Sequence, residues 1–237
     1  MTERSETKPE ASAAFAATVV LLRDGELGVE VLLAERPRDR GSFAGAWVFP
    51  GGAVEAADLG DGDDPESEAA ARRAAVRETE EEVGLVIDPA ELVPFSSWTP
   101  PAGSPKRLIT TFFAARVPDG EVRPAPDEVA SVAWLRPAEA LDRHAAGILT
   151  LWPPTWVTLH GLQDAASVDE ALAALRAREV RPYVSRFDDT RTTVIWQEDA
   201  GFAADATDDE DASAEASGAR RHRLVMERLP WVYLNDL

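Results

Sequence analysis

Cysteine is absent from this 237-residue chain, and lysine occurs only twice, at Lys8 and Lys106. Without cysteine there is no disulfide, no thiol nucleophile and no thiolate metal ligand. The sequence also lacks an apolar stretch of about 18 residues, the length that a membrane-spanning helix requires. We therefore expect a protein that does not cross a membrane, with the cytoplasm as its location.

Positive charge is scarce as well: 24 Lys and Arg residues stand against 43 Asp and Glu, which gives a formal net charge of −19. Such a surface repels duplex nucleic acid and anionic membranes, so we expect neither as a partner. A small anionic ligand remains compatible with this charge if a divalent cation and local arginines neutralise it. The 45% of hydrophobic residues is enough for a packed core, in one domain with an extension or in two small domains.

The order of the expected elements indicates a mixed α+β fold. Two runs rich in Val and Leu flank the turn pair Asp24-Gly25 and predict a β-hairpin. Asp64 as N-cap and Pro65 as first helical residue predict a helix that runs to Val83 and ends at Gly84. We expect strands at residues 15–22, 29–34, 47–49, 92–98, 109–117, 129–135, 192–197, 222–227 and 231–234, and helices at 137–145, 153–162 and 167–178.

Composition divides the chain into three parts. Residues 1–12 alternate acid and base and are expected to form a disordered tail. Residues 13–165 are expected to form the main domain, and residues 166–237 a C-terminal extension of helix and hairpin. Within the extension, residues 203–218 are mostly Ala, Asp, Glu and Ser, which predicts a disordered acidic loop.

The predicted helix before Gly84 carries a run of glutamates. Glu78, Glu81 and Glu82 are three and four residues apart, which places them on one face of a helix. Like charges at this spacing repel one another, whereas hard divalent cations such as Mg²⁺ prefer carboxylate ligands. The face therefore predicts a site that could orient a diphosphate and lower the pKa of an attacking water. A solvated acidic face is the alternative, and we prefer it for Glu80 alone.

Residues 77–85, Arg-Glu-Thr-Glu-Glu-Glu-Val-Gly-Leu, resemble the second half of the Nudix box, Arg-Glu-(apolar)-x-Glu-Glu-x-Gly-(apolar). The first half, Gly-x5-Glu, is matched by Gly52 and Asp58, with Asp in place of Glu. Eighteen residues, rather than the usual seven, separate Asp58 from Arg77. Thr79 stands where an apolar residue is usual. The insertion lies in the loop or at the helix start, and none of these departures changes the helical glutamates.

The resemblance to Nudix hydrolases implies an α/β/α sandwich with a mixed sheet. It also implies an enzyme that uses Mg²⁺ or Mn²⁺ to cleave a phosphoanhydride bond in a nucleoside diphosphate linked to another moiety. A glutamate next to the strand predicted at residues 129–135 is expected to be a further ligand or the base. The site residues implied are the helical ligands Glu78, Glu81 and Glu82, a backbone carbonyl near Gly52, the orienting residue Arg77, and Glu128.

Groups that meet the substrate are expected among the arginines. Arg36, Arg38 and Arg40 precede Trp47, and Lys106-Arg107 precede a strand. Either set could contact phosphate or serve solubility, and Arg36 and Arg107 are our candidates for substrate binding. Other side chains are better explained by packing: three aromatic residues could stack on a base but favour the core, and three histidines lack metal-ligand spacing. These are Trp47, Trp98, Phe112, His144, His160 and His222.

The substrate and one competing function stay open. The frame Leu32-Leu33-x-x-Arg36, the Phe49-Pro50-Gly51-Gly52 run and the long box resemble the coenzyme A diphosphatase branch, but the His and Gln usual upstream of Pro-Gly-Gly are absent. ADP-ribose, a nucleotide sugar and a dinucleotide are therefore equally open as substrates. A homodimer is open as the oligomeric state. A non-catalytic Nudix-like module that binds a nucleotide and regulates a partner is the alternative. The intact glutamates argue against it, and against a purely structural acidic protein.

Overall fold

The computed structural model describes residues 14–40, 43–104, 107–203 and 220–237. The predicted N-terminal tail, nearly all of the predicted acidic loop, and Lys106 lie outside the described residues. In the part of the chain that is described, no helix is both long enough and apolar enough to cross a membrane.

The described strands form one mixed sheet in the order β11-β10-β9-β8-β5-β6-β1-β2-β3, with β4 beside β1 and β7 beside β2. The β1–β2 hairpin is antiparallel, as predicted, and β1 pairs in parallel with β6. The strands are β1 (Ala14–Gly25), β2 (Gly28–Glu35), β3 (Trp47–Val48), β4 (Gly51–Ala53), β5 (Val93–Thr99), β6 (Leu108–Arg116), β7 (Ser131–Leu135), β8 (Arg181–Phe187), β9 (Thr193–Trp196), β10 (His222–Val225) and β11 (Val232–Asn235).

Helices cover both faces of the sheet. Alternate residues of β1 point to opposite faces, and those on one face pack with the small residues Ala71, Ala74 and Ala75 of α1. The residues on the other face pack with α2, α3 and α4. This arrangement confirms the predicted Nudix-type sandwich. The helices are α1 (Glu68–Val83), α2 (Pro137–Ala145), α3 (Pro153–Leu162) and α4 (Val168–Arg176), with short 3-10 turns at Ala56–Asp58 and Pro89–Glu91.

The start of α1 differs from the prediction. Its N-cap is Ser67, whose hydroxyl accepts a hydrogen bond from the Ala70 amide, rather than Asp64. The Asp64 carboxylate instead accepts from the Glu66 amide at 2.9 Å, which closes a turn just before the helix. The predicted end is confirmed, because Gly84 adopts a left-handed conformation with φ of 72°.

Two strands were not predicted, and one of them joins the C-terminal extension to the main sheet. Besides the short β4, the prediction lacked β8, which pairs in parallel with β5. Tyr183 of β8 stacks on Trp98 of β5 with ring centroids 3.9 Å apart. Trp98 and Phe112 are buried and Trp47 packs against the same core, so the preference for a packing role is confirmed for these aromatic residues.

Candidate active site

The Pro-Gly-Gly run brings main-chain groups against helix α1. Gly51 has a φ of +153°, and a Cβ atom there would lie 2.2 Å from the Ala17 carbonyl oxygen, so only glycine fits. Its amide donates a hydrogen bond to Glu82 Oε2 at 3.0 Å. Strand β4 thereby holds the buried Glu82 carboxylate in place.

Gly52 makes room for the second carboxylate of the site. A Cβ atom on Gly52 would lie 2.3 Å from Cδ of Glu78, which is closer than any van der Waals contact. The Glu78 carboxylate therefore rests directly on the glycine backbone. Any side chain at this position has to displace it.

Arg77 links these elements. Its guanidinium donates to both oxygens of Asp58, at 3.1 and 2.9 Å, and to the Ala53 carbonyl at 3.0 Å. It also donates to Glu78 and Glu81, each at 2.9 Å. Burial alone would raise the pKa of Asp58, but the bonds from Arg77 and from the Glu55 amide hold it below its ordinary value. Arg77 thus orients two glutamates while Asp58 anchors it.

The departures from the Nudix pattern leave this network intact. The inserted residues form a loop and the first turns of α1, and Arg73 fastens the loop through the Asp58 carbonyl and the Asp63 carboxylate. Asp58 consequently reaches Arg77 despite the longer separation in sequence. Thr79, in the usually apolar position, is buried and donates its hydroxyl to the Ala75 carbonyl at 2.7 Å.

Three carboxylates meet at the exposed end of this network. Glu78, Glu82 and Glu128 each place one oxygen within 4.8 Å of the others. Glu128 comes from the loop before β7, which is tied to the end of α1 by hydrogen bonds from the Arg123 and Ala125 amides, at 2.8 and 2.9 Å. These main-chain bonds carry Glu128 to the helix.

The grouped carboxylates are short of positive charge. Burial, more than any other cause, raises the pKa of Glu82 to about 7, although the Gly51 amide and the charge of Arg36 oppose the rise. Burial also raises the pKa of Glu78, against the opposing effect of Arg77. Repulsion from Glu128 contributes to both shifts. A cation placed among the three would relieve this imbalance.

The neighbouring glutamates lie differently. The side chain of Glu81 is 53% exposed and pairs with Arg77 rather than with the three grouped carboxylates. Glu80 is exposed, in agreement with the expectation that it is a solvated residue. The structure thus brings two of the three predicted helical ligands together with the predicted Glu128, and leaves Glu81 outside this group.

Of the two candidate substrate contacts, Arg36 lies close to the site. It is half-buried, its charge acts on Glu82, and its Nε has no hydrogen-bond partner among the described residues. Arg107 is exposed directly before β6. The other two arginines of the loop pair with acids, Arg38 with Glu35 and Arg40 with Asp127.

The donor set fits a hard divalent cation. It consists of carboxylate oxygens brought within one small space, two of them on carboxylates already held by Gly51 and Arg77. Mg²⁺ and Mn²⁺ take such oxygen ligands together with water and phosphate oxygens. Within the described residues no histidine belongs to the group.

Comparison with known proteins identifies the class. The family model described as the NUDIX domain matches residues 13–152, more than half of the chain. The chain therefore belongs to the Nudix family and is a hydrolase of phosphoanhydride bonds. No match is found among curated protein sequences.

Several solved structures are similar to this chain. A NUDIX hydrolase from Alicyclobacillus acidocaldarius is similar with a TM-score of 0.61 and 24% identity, over 71% of this chain and 99% of that one. A MutT NUDIX hydrolase from Burkholderia pseudomallei has a TM-score of 0.48 and 23% identity, over 63% and 98%. An Ap4A hydrolase from C. elegans has a TM-score of 0.46 and 19% identity, over 70% and 100%.

Proposed function

We propose that this protein uses Mg²⁺ or Mn²⁺ to hydrolyse a nucleoside diphosphate linked to a second moiety, such as ADP-ribose, coenzyme A or a dinucleotide. The observation that carries the proposal is the grouping of Glu78, Glu82 and Glu128 beside the Pro-Gly-Gly turn. In the reaction, a water oxygen bonds to one phosphorus and the bridging P–O bond breaks. The products are a nucleoside 5′-phosphate and the phosphorylated second moiety.

In this proposal the residues of the site either hold the cation or position the residues that hold it. Glu78, Glu82 and Glu128, with the main-chain carbonyl of Gly52, would hold the cation. When bound, the cation would neutralise charge on the diphosphate and favour deprotonation of the attacking water. Arg77 is a positioning residue, because it holds Glu78 through hydrogen bonds and is itself held by Asp58.

Arg36 is the proposed phosphate contact. Its Nε–H is buried and lacks a hydrogen-bond acceptor among the described residues, which is costly unless a ligand supplies one. A phosphate oxygen is an acceptor that matches the guanidinium well in geometry and charge. The proximity of Arg36 to Glu82 places this donor beside the grouped carboxylates. Arg107 stays a second candidate on the loop before β6.

The test is a turnover assay with ADP-ribose, coenzyme A, NADH, a dinucleoside tetraphosphate and nucleoside triphosphates, with Mg²⁺, with Mn²⁺ and with chelator. We expect metal-dependent release of monophosphates from at least one of the linked diphosphates. Glu82→Gln should lower turnover about 10²-fold or more, since it removes charge from the centre of the group. Glu80→Gln is the matched control and should stay within a few-fold of the wild type.

Two results would contradict the proposal. Full turnover after exhaustive chelation would exclude the metal mechanism. Binding of ADP-ribose without turnover of any substrate would favour the regulatory module instead.

A further inference from the structure

A cleft lies on the face of the sheet opposite to α1. It has a volume of about 360 Å³ and lies between α2, α3 and residues 230–233, which include the first two residues of β11. None of its lining residues belongs to the candidate active site. Its size is within the range of small-molecule pockets, about 300–1,000 Å³.

Five of the eleven described residues that line the cleft carry an aromatic ring. The Trp156 ring lies near those of Trp231 and Tyr233, with centroid distances of 6.5 and 6.1 Å, and His160 stacks on Trp156 at 5.3 Å. His144 meets Trp231 edge-on at 4.4 Å. The faces of such rings carry partial negative charge, so they attract cations and repel anions.

A buried acceptor adds to this character. His144 is 4% exposed, and its Nδ1 is 3.0 Å from the Leu149 carbonyl oxygen. Since a carbonyl only accepts, Nδ1 carries the proton and Nε2 is left as an acceptor. Nε2 is buried and has no partner among the described residues. Burial lowers the pKa of His144, which keeps the ring neutral.

The charge of the lining has one sign. Asp142 stands exposed at the cleft, and no Arg or Lys occurs among the described residues that line it. His160 is also kept neutral, because burial lowers its pKa despite the charge of Asp164. The cleft therefore offers ring faces, a carboxylate and an unpaired acceptor, but no fixed positive charge.

We propose that this cleft binds a small organic cation with N–H donors, of the alkylammonium or alkylguanidinium class. The ring faces would stabilise the charge, Asp142 would pair with it, and an N–H would complete the unpaired Nε2 of His144. The same features disfavour phosphate compounds, so this ligand differs in class from the proposed substrate of the Glu78 site.

The test is calorimetric titration of the full chain with n-butylammonium and n-butylguanidinium in about 0.15 M salt, which screens unspecific attraction to the acidic surface. Three probes are compared with these: 1-butanol, butyrate and tetramethylammonium. We expect the two N–H cations to bind most tightly, tetramethylammonium more weakly because it cannot donate to His144, and the neutral and anionic probes weakest. Equal binding of butanol or butyrate, or no binding of either cation, would overturn the proposal.

Matched variants locate the site. Trp231→Leu should weaken n-butylammonium about tenfold and Asp142→Asn about three- to fivefold. Trp152→Leu removes an exposed tryptophan that does not line the cleft, and Asp169→Asn makes the same change in net charge on α4. Both controls should bind as the wild type does. Because Asp142 is exposed, its variant stays informative even if Trp231→Leu fails to fold. If Trp152→Leu weakens binding as much as Trp231→Leu, or Asp169→Asn as much as Asp142→Asn, the cation binds elsewhere.

Discussion

The C-terminal extension and the candidate active site beside α1 surround buried carboxylates in opposite ways. In the extension, the buried Asp199 is paired with Arg223 at 2.7 Å and accepts the His222 amide, and these bonds hold its pKa below the ordinary value despite burial. Beside α1, Glu78 and Glu82 are gathered with like charge and their pKa values are raised. Charge that is balanced within the chain needs no ligand, whereas charge left unbalanced is available to one.

Among the variants that test this comparison, Gly52→Ala is expected to have the largest effect on turnover. The new Cβ would stand 2.3 Å from Cδ of Glu78 and would displace its carboxylate. We expect turnover to fall about 10²-fold, as small displacements of reacting groups can produce, with little change in the free energy of unfolding. Gly161→Ala is the control, since nothing lies within 4 Å of its Cβ position. Normal turnover in Gly52→Ala would show that the position of Glu78 is unimportant.

The next effect concerns the anchor of Arg77. Asp58→Ala removes a buried partner of a guanidinium and should lower the free energy of unfolding by about 2–3 kcal/mol. Turnover should fall about tenfold because Arg77 no longer fixes Glu78. Asp58→Glu should recover most of both, since glutamate is the residue usual in the motif. Urea denaturation and steady-state kinetics measure the two effects, and a fully active Asp58→Ala would remove Arg77 from its positioning role.

A smaller effect is expected for Glu81→Gln. Its side chain is half-exposed and bonded to Arg77, and glutamine can still accept that bond. We expect turnover within about tenfold of the wild type, against a loss of about 10²-fold for Glu82→Gln. Kinetics at saturating Mg²⁺ would measure both variants. Equal damage in the two would mean that Glu81 joins the cation site, as the helical spacing alone suggests.

The smallest effect is a pH dependence in the extension. Burial lowers the pKa of His222 below 6.5, although its bond to Glu198 opposes the shift. As the pH falls through 6.5, His222 takes up a proton in the unfolded chain before it does so in the folded chain. The free energy of unfolding that His222 contributes above this pH is therefore lost as the pH falls toward the lower pKa of the folded state. Urea midpoints between pH 8 and pH 5.5 should therefore decline less steeply in His222→Gln than in the wild type. An unchanged slope would show that His222 does not titrate in this range.

Local signals predicted much of the fold. Proline at the first helical position marks the starts of α2 and α3, and both helices have the predicted bounds. Gly84 gives the end of α1. The start of α1 was wrong because Asp64 and Ser67 are both good N-caps, and the choice between them depends on how the preceding loop folds. The strand β8, with arginines and a proline in seven residues, lacks a clear alternating pattern.

Part of the candidate active site was likewise predicted from local sequence, and part of it was not. The helical glutamates and Arg77 are readable from spacing, because a helix fixes their geometry. The grouping with Glu128 depends on hydrogen bonds between the loop before β7 and the end of α1, which no local pattern encodes. Two further contacts likewise depend on tertiary folding. Asp58 accepts a hydrogen bond from Arg77 across the long insertion, and Glu82 accepts one from the Gly51 amide.

The most direct test of the unbalanced charge beside α1 is Mn²⁺ binding to the substrate-free protein, followed by electron paramagnetic resonance. We expect one Mn²⁺ site in the wild type, which Glu80→Gln should retain and which Glu82→Gln and Glu128→Gln should each weaken about tenfold or more. If Glu128→Gln binds Mn²⁺ as the wild type does, or if Glu80→Gln weakens binding as much as Glu82→Gln, the three grouped carboxylates are not the cation site.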